Sequence, residues 1–234
     1  MEALPELDCE TLPTGRTYIT PEGNKYPSIT TVLSLLSKDG ILAWRKRVGE
    51  EAANKISTQA ATRGTAVHQL AEDYLNNKED WSKGAMPANL FSFNQIKPIL
   101  DKRVNNVWAQ EVPLYSDKFM VAGRVDCIAE FDGELTIIDF KTSTRERSDS
   151  WNENYYIQGS AYAEMFGERT GIEINQVVIL VVTEDGTVQE FVKDKEKYLP
   201  MLEESVTEWS RQNETPINID GDVSSSGLSN NAIG

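Results

Sequence analysis

The 234-residue chain predicts an α/β fold: a small mixed sheet flanked by helices, with a helical layer at the N-terminal side. Three observations predict it. Apolar residues recur at helical spacing through residues 28–104. Runs rich in Val and Ile, broken by Asp-Gly pairs, follow. Helical stretches then separate and close those runs.

Residues 1–27 are rich in Pro, Gly and Thr and read as an extended lead-in. Ser28 to Leu36 opens a helix, with Ser28 or Thr30 as its cap. A second helical stretch runs from Ile41 to Ala53. A third, from Ala60 to Asn76, places Ala66, Val67, Leu70, Ala71, Tyr74 and Leu75 on one face. Pro87 to Arg103 reads as a further helix, bent near Pro98. The character then changes. Val107–Tyr115, Met120–Phe131 and Glu134–Lys141 read as strands, the last two joined by a hairpin turn at Asp132-Gly133. Helix returns from Trp151 to Phe166. Strands follow at Asn175–Thr183 and Thr187–Val192, linked by Asp185-Gly186, and a charged helix at Lys193–Arg211. Residues 28–212 thus form a single domain, with a helical part at 28–104 and a sheet core at 105–212. Residues 213–234, rich in Ser, Asn and Gly, read as a disordered tail.

Composition narrows the function. Apolar content of 39% and charged content of 26% match a globular domain. No apolar run approaches the length of a membrane span, and the acidic N-terminus is unlike a secretory signal. We therefore expect a cytoplasmic protein, in the host cytoplasm if viral, and not a secreted one. Two cysteines fit a reducing compartment and are too few for a four-cysteine iron–sulfur cluster. One histidine and no CxxC argue against zinc. No P-loop is present, so ATP is not expected. The net charge of -14 argues against a passive nucleic-acid binder, but -11 of it lies in residues 146–234. A local basic groove in the first part therefore remains compatible with the composition.

Four short motifs carry the chemistry. Asp139 and Lys141 lie two apart on a strand, so both point to one face, where they could hold a cation and place a water beside it. An exposed ion pair would look the same. Asp126, in Gly123-Arg-Val-Asp126, stands 13 residues before Asp139 across the hairpin turn. Two carboxylates brought together this way call for a cation, and oxygen ligands suit Mg²⁺ or Mn²⁺. The spacing equally allows Asp126 to cap a turn or pair with Arg124. His68, the only histidine, lies on a helix in Arg63-Gly-Thr-Ala-Val-His68 and as a ligand would tilt the site toward Mn²⁺; a lone histidine is more often structural. Gln158 and Tyr162 share one helix face, which spacing alone would leave as ordinary core edge.

Taken in order, Gly64/His68, Gly123/Asp126, Asp139/Lys141/Thr142 and Gln158/Tyr162 resemble the motif set of the RecB-like nucleases, a branch of the PD-(D/E)XK superfamily that includes mitochondrial genome maintenance exonucleases and small viral relatives. Tyr26 to Leu33 also resembles that group, and the likeness runs over roughly residues 26 to 195. It implies a restriction-endonuclease-like core. It also implies a metal held by His68, Asp126, Asp139 and the Phe140 carbonyl, with Lys141 orienting or helping to deprotonate the attacking water. Gln158 and Tyr162 would contact the lysine, the metal surroundings or DNA. Glu111 is a candidate supporting carboxylate, or a surface residue.

The DNA contacts expected are Arg63, Arg124, Thr142 and Arg145, with Arg45 and Arg47 of the basic run beside Trp44 and a track through Lys97, Lys102 and Arg103. That run reads equally as a solvated helix face. The implied activity is metal-dependent exonuclease action on DNA ends, favouring single strands, in replication or recombination with a possible protein partner. A flap endonuclease and a non-catalytic DNA-binding or assembly protein are the alternatives.

Overall fold

The computed structural model describes residues 4–213. Its centre is a five-stranded sheet in the order β4-β5-β6-β7-β8, built from β4 (Val104–Ser116), β5 (Val121–Phe131), β6 (Glu134–Ser143), β7 (Gln176–Thr183) and β8 (Val188–Asp194). The β6–β7 pair is parallel and the other three are antiparallel. The parallel pair follows from the connection, because α4 (Glu153–Thr170) carries the chain back between those two strands. The predicted mixed sheet is thus present. β7, the run Gln-Val-Val-Ile-Leu-Val-Val-Thr, is buried on both faces, as its lack of alternation requires.

Two apolar layers cover the sheet. On one face Val67, Leu70 and Ala71 of α2 (Glu50–Leu75) and Phe93, Ile96 and Leu100 of α3 (Pro87–Arg103) pack against Cys127, Ala129, Ile138 and Phe140. On the other, α1 (Ile29–Val48), α4 and α5 (Leu199–Asn213) pack against Val125, Ile128, Ile137 and Ile179. The Asp132-Gly133 turn has φ of 54° and 87°, the positive pair that a two-residue hairpin of native twist needs.

The helical layer differs from expectation at its boundaries. The sequence pattern predicts one helix across Gly49 and another beginning at Ala60. Instead α1 ends and α2 begins at Gly49, whose φ of 87° suits glycine, while α2 continues unbroken through residues 54–60. That stretch is solvent-exposed, so it carries no apolar stripe by which a helix could be read. Ser28 is the cap of α1, its hydroxyl accepting from Thr31 N–H at 3.1 Å. α3 runs through Pro98 without a break.

The lead-in is extended, but it also pairs with itself. β1 (Asp8–Leu12), β2 (Gly15–Ile19) and β3 (Lys25–Pro27) form an antiparallel sheet joined to the main one by a bridge from Ser28 to Ala122. Leu7 and Tyr18 of this unit bury against Tyr115 and Ala122. The tail expected at 213–234 falls, beyond Asn213, outside the described residues. Among the described residues no helix is long and apolar enough to cross a membrane.

Helix and sheet approach closely at Gly159 of α4, where a Cβ would stand 2.3 Å from Val177 Cγ1. Gly159→Ala should therefore overpack this contact and destabilise the domain by about 1–3 kcal/mol. Urea denaturation checks this. Adding Val177→Ala should cost less in the Gly159→Ala background than in the wild type, since both changes act on one contact.

Candidate metal centre

The site forms where the β5–β6 hairpin comes apart. The ladder between these strands is regular from Phe131↔Glu134 to Cys127↔Ile138 and then stops. The next pair in that register would be Asp126 and Asp139. Two facing carboxylates repel, and here the strands separate instead. The Asp126 carboxylate fills the gap, its Oδ2 accepting from the Phe140 N–H at 3.0 Å.

β4 and β5 are interrupted at the same level. Glu111 lies opposite Asp126, between the pairs Gln110↔Cys127 and Val112↔Val125. Ala109 and Val112 both face the α4-side core, as do Ile128 and Val125, although each pair is three residues apart. A strand of period two cannot do this without a local twist. In β4 Glu111, with φ of 48°, a conformation unusual for its type, supplies it. Arg124 braces the kink by donating from Nη1 to the Glu111 carbonyl.

Across this opening stands His68 of α2. Its Nδ1 lies 3.4 Å from Asp126 Oδ2, and its Nε2 is hydrogen-bonded to the Phe140 carbonyl. His68, Glu111 and Asp126 each present a ligand atom within 4.8 Å of the others. The structure thus brings His68, Asp126 and the Phe140 carbonyl together, as expected. It also puts Glu111 among them, beyond the supporting role or surface position considered for it. The signal for this is the facing register of Glu111 and Asp126, which appears only once the pairing is known.

Asp139 is not one of these three side chains and pairs with Lys141, but the charges of Asp126 and His68 both act on it, so it borders the same opening. Asp139 is 2% exposed. Lys141 Nζ lies 2.6 Å from Asp139 Oδ2, an ion pair buried in the fold. Burial pushes the Asp139 carboxyl up to about 6, against the pull of Lys141, with Asp126 adding to the rise. Burial also works to lower Lys141, but the charges of Asp139 and Asp126 outweigh it and hold the ammonium above its usual range. Burial and then the charge of Asp126 push Glu111 up to about 7. The centre is therefore short of positive charge, and its donors, carboxylates with one imidazole and one carbonyl, fit Mg²⁺ or Mn²⁺.

Gln158 and Tyr162 are buried on α4, with Gln158 Nε2 donating to Tyr162 Oη at 3.1 Å. Burial holds the Tyr162 phenol well above its ordinary value, so it stays protonated. Gly123 is required here, because a Cβ would meet the Tyr162 ring at 2.7 Å. A Cβ at Gly64 would stand 3.8 Å from the Thr142 hydroxyl.

The basic residues divide. Arg63 pairs with Glu184, and Arg124 with Glu6 at 3.2 Å. Arg45 is taken up by Glu50 and Asn54, whereas Arg47 is exposed. The expected track through residues 97–103 is not a free one: Lys97 pairs with Asp101, and Arg103 clamps Asp132 and Glu190. Arg145 is exposed, over the Trp151 ring. Cys127 is buried, and burial pushes its thiol up, as in an inert core cysteine.

Residues 41–221 match the family model described as the PD-(D/E)XK nuclease superfamily. The chain is 27% identical over 134 residues to human mitochondrial genome maintenance exonuclease 1, a match covering 53% of this chain and 38% of the relative. It is 27% identical over 111 residues to one subunit of the ATP-dependent helicase/nuclease from Clostridium kluyveri, covering 40% of this chain and 9% of that protein. A solved structure from Eubacterium rectale, provisionally named an exonuclease, aligns with a TM-score of 0.43 and 16% identity, over 74% of this chain and 77% of that one.

Crowded carboxylates have a measurable consequence. A carboxyl raised in the fold costs stability once the pH exceeds its unfolded value of about 4.3. Glu111→Gln should therefore raise the melting temperature in EDTA at pH 8 by about 2–4 °C, as roughly 1 kcal/mol does in a domain of this size. It should also shrink the further rise that Mn²⁺ gives the wild type. Differential scanning fluorimetry reads both; a lower melting temperature in EDTA would show that the charge is no burden.

Proposed function

The chain belongs to the PD-(D/E)XK nuclease superfamily, and on that premise we propose that it is a metal-dependent exonuclease, hydrolysing phosphodiester bonds from DNA ends and favouring single strands. Its place would be in replication, recombination or repair. The observation that carries this reading is the cluster of His68, Glu111 and Asp126 beside the buried Asp139–Lys141 pair.

His68, Asp126, Asp139 and the Phe140 carbonyl would hold the cation, with Glu111 now among them. When bound, a divalent cation supplies Lewis-acid charge that offsets the negative charge building on the phosphate. Lys141 lies with its Nζ against Asp139, whose charge favours the ammonium. It therefore suits donating hydrogen bonds to the attacking water and a phosphate oxygen better than removing a proton. Asp126 holds the Phe140 peptide by its N–H, which fixes the carbonyl that faces His68. The protonated Tyr162, oriented by Gln158, offers a hydroxyl at the floor of the site.

End-labelled single-stranded, double-stranded and circular DNA incubated with Mg²⁺, Mn²⁺ or EDTA tests the proposal. Linear DNA should be lost only with metal, and circles spared. Lys141→Ala should lower the rate by about 100-fold or more while leaving the fold intact. Cutting within circles or at flaps would point to an endonuclease. No cleavage by folded, DNA-binding wild type would leave a binding or assembly role.

A further inference from the structure

We propose that Trp151, braced by Arg147 and flanked by Arg145, is a stacking subsite for an unpaired nucleobase of the DNA strand held at the metal centre. The inference rests on the nuclease reading above and deepens it, because it names the part of the substrate that lies beyond the phosphate.

The argument starts at Lys141. Its Nζ lies 5.0 Å from the centre of the Tyr155 ring, and the Arg147 guanidinium lies 5.2 Å from the same ring. Arg147 in turn donates from Nη2 to the Trp151 carbonyl, and Arg145 lies 5.8 Å over the Trp151 ring. A chain of alternating cations and aromatic rings therefore runs outward from the Lys141 ammonium and ends at Trp151, which is 57% exposed.

Exposed apolar residues are common singly and by themselves mean little. This one sits on a pinned support. Arg147 Nε donates to Asn152 Oδ1 at 2.6 Å, and Asn152 is fully buried. The Arg147 backbone is tied to the Gln189 side chain in both directions, at 2.7 and 3.0 Å. A large ring held open to solvent by an ordered loop is preorganised to bind a flat partner. Among the described residues, Arg16, Arg47, Arg145 and Arg147 have no carboxylate within 4.0 Å, whereas Arg45, Arg63, Arg103, Arg124, Arg169 and Arg211 all do, and of the four it is Arg145 and Arg147 that stand along the rings leading from Lys141. Free guanidinium groups interleaved with rings suit a strand that alternates phosphates and bases. A base in a duplex is stacked on its neighbours and cannot present its face, so the subsite selects for an unpaired nucleotide.

The test measures binding by fluorescence anisotropy, in EDTA, of labelled oligo-dT and of an abasic strand of equal length and charge. Wild type should prefer oligo-dT by about 5- to 100-fold, the range expected for stacking on one ring. Trp151→Ala should lose most of that ratio and Trp151→Phe should keep most of it, while Arg145→Ala weakens both strands alike. Trp151→Ala with the wild-type ratio, or wild type showing no preference for bases, overturns the subsite. Cleavage of the same oligo-dT with Mg²⁺ is read separately. A lost ratio in Trp151→Ala without any wild-type cleavage would keep the subsite and sink the nuclease reading; cleavage with an unchanged ratio would do the reverse.

Discussion

The centre depends on one hydrogen bond, from the Phe140 N–H to Asp126 Oδ2. In a continuous hairpin that N–H would have belonged to the ladder. Once β5 and β6 separate beyond Cys127↔Ile138, it needs another acceptor, and a buried backbone donor left without one costs stability. Asp126 meets that need with one oxygen and thereby fixes its carboxylate beside His68. The same residue offers its carbonyl to His68 Nε2. One residue of β6 thus ties the hairpin to α2 through its N–H and its carbonyl, so the position of the candidate ligands is set by backbone hydrogen bonding rather than by mobile side chains.

The rest of the site is a problem of uncompensated charge. Glu111 and Asp126 face each other across β4 and β5, and Asp139 is buried against Lys141. Burial and mutual repulsion raise Glu111 and Asp139, the direction expected when negative groups are held together in a medium that solvates them poorly. Lys141 supplies one positive charge on the α4 side of β6. On the Glu111 side the Arg124 guanidinium offsets only part of the negative charge. A fold that holds carboxylates in this state is less stable than it would be without them, a familiar exchange at functional sites. A divalent cation would relieve it.

Much of this was legible in the sequence. Asp139 and Lys141 are two apart on a strand, so their shared face followed from the pleat alone, and the Asp132-Gly133 turn fixed how Asp126 and Asp139 would approach. The core of the sheet was legible for the same reason, since β5, β6 and β7 carry apolar runs between turn residues. What was not legible lacks a local signature. The kink at Glu111 arises from a left-handed backbone at a residue that gives no warning of it. The exposed middle of α2 has no apolar stripe, and the β1–β3 sheet buries few side chains beyond Leu7 and Tyr18. The pairing of Arg63 with Glu184 joins residues far apart in the chain, so the loss of that arginine as a free contact was invisible before the fold was known.

The chain's net charge of -14 takes on a different meaning in this light. Counting charges suggests repulsion of a polyanion, yet most of the arginines are already paired and contribute little field at a distance. What a strand of nucleic acid would meet near the site is set by the few cations left unpaired. Arg145 and Arg147 lie on the stretch that leaves the end of β6 and returns into α4. That stretch is the crossover between the two parallel strands, and in open sheets containing such a pair the crevice at the strand ends is where ligands are bound. The connection that makes β6 and β7 parallel therefore also delivers the free cations to the mouth of the site. Topology, more than overall composition, reconciles an acidic chain with the anionic substrate proposed for it.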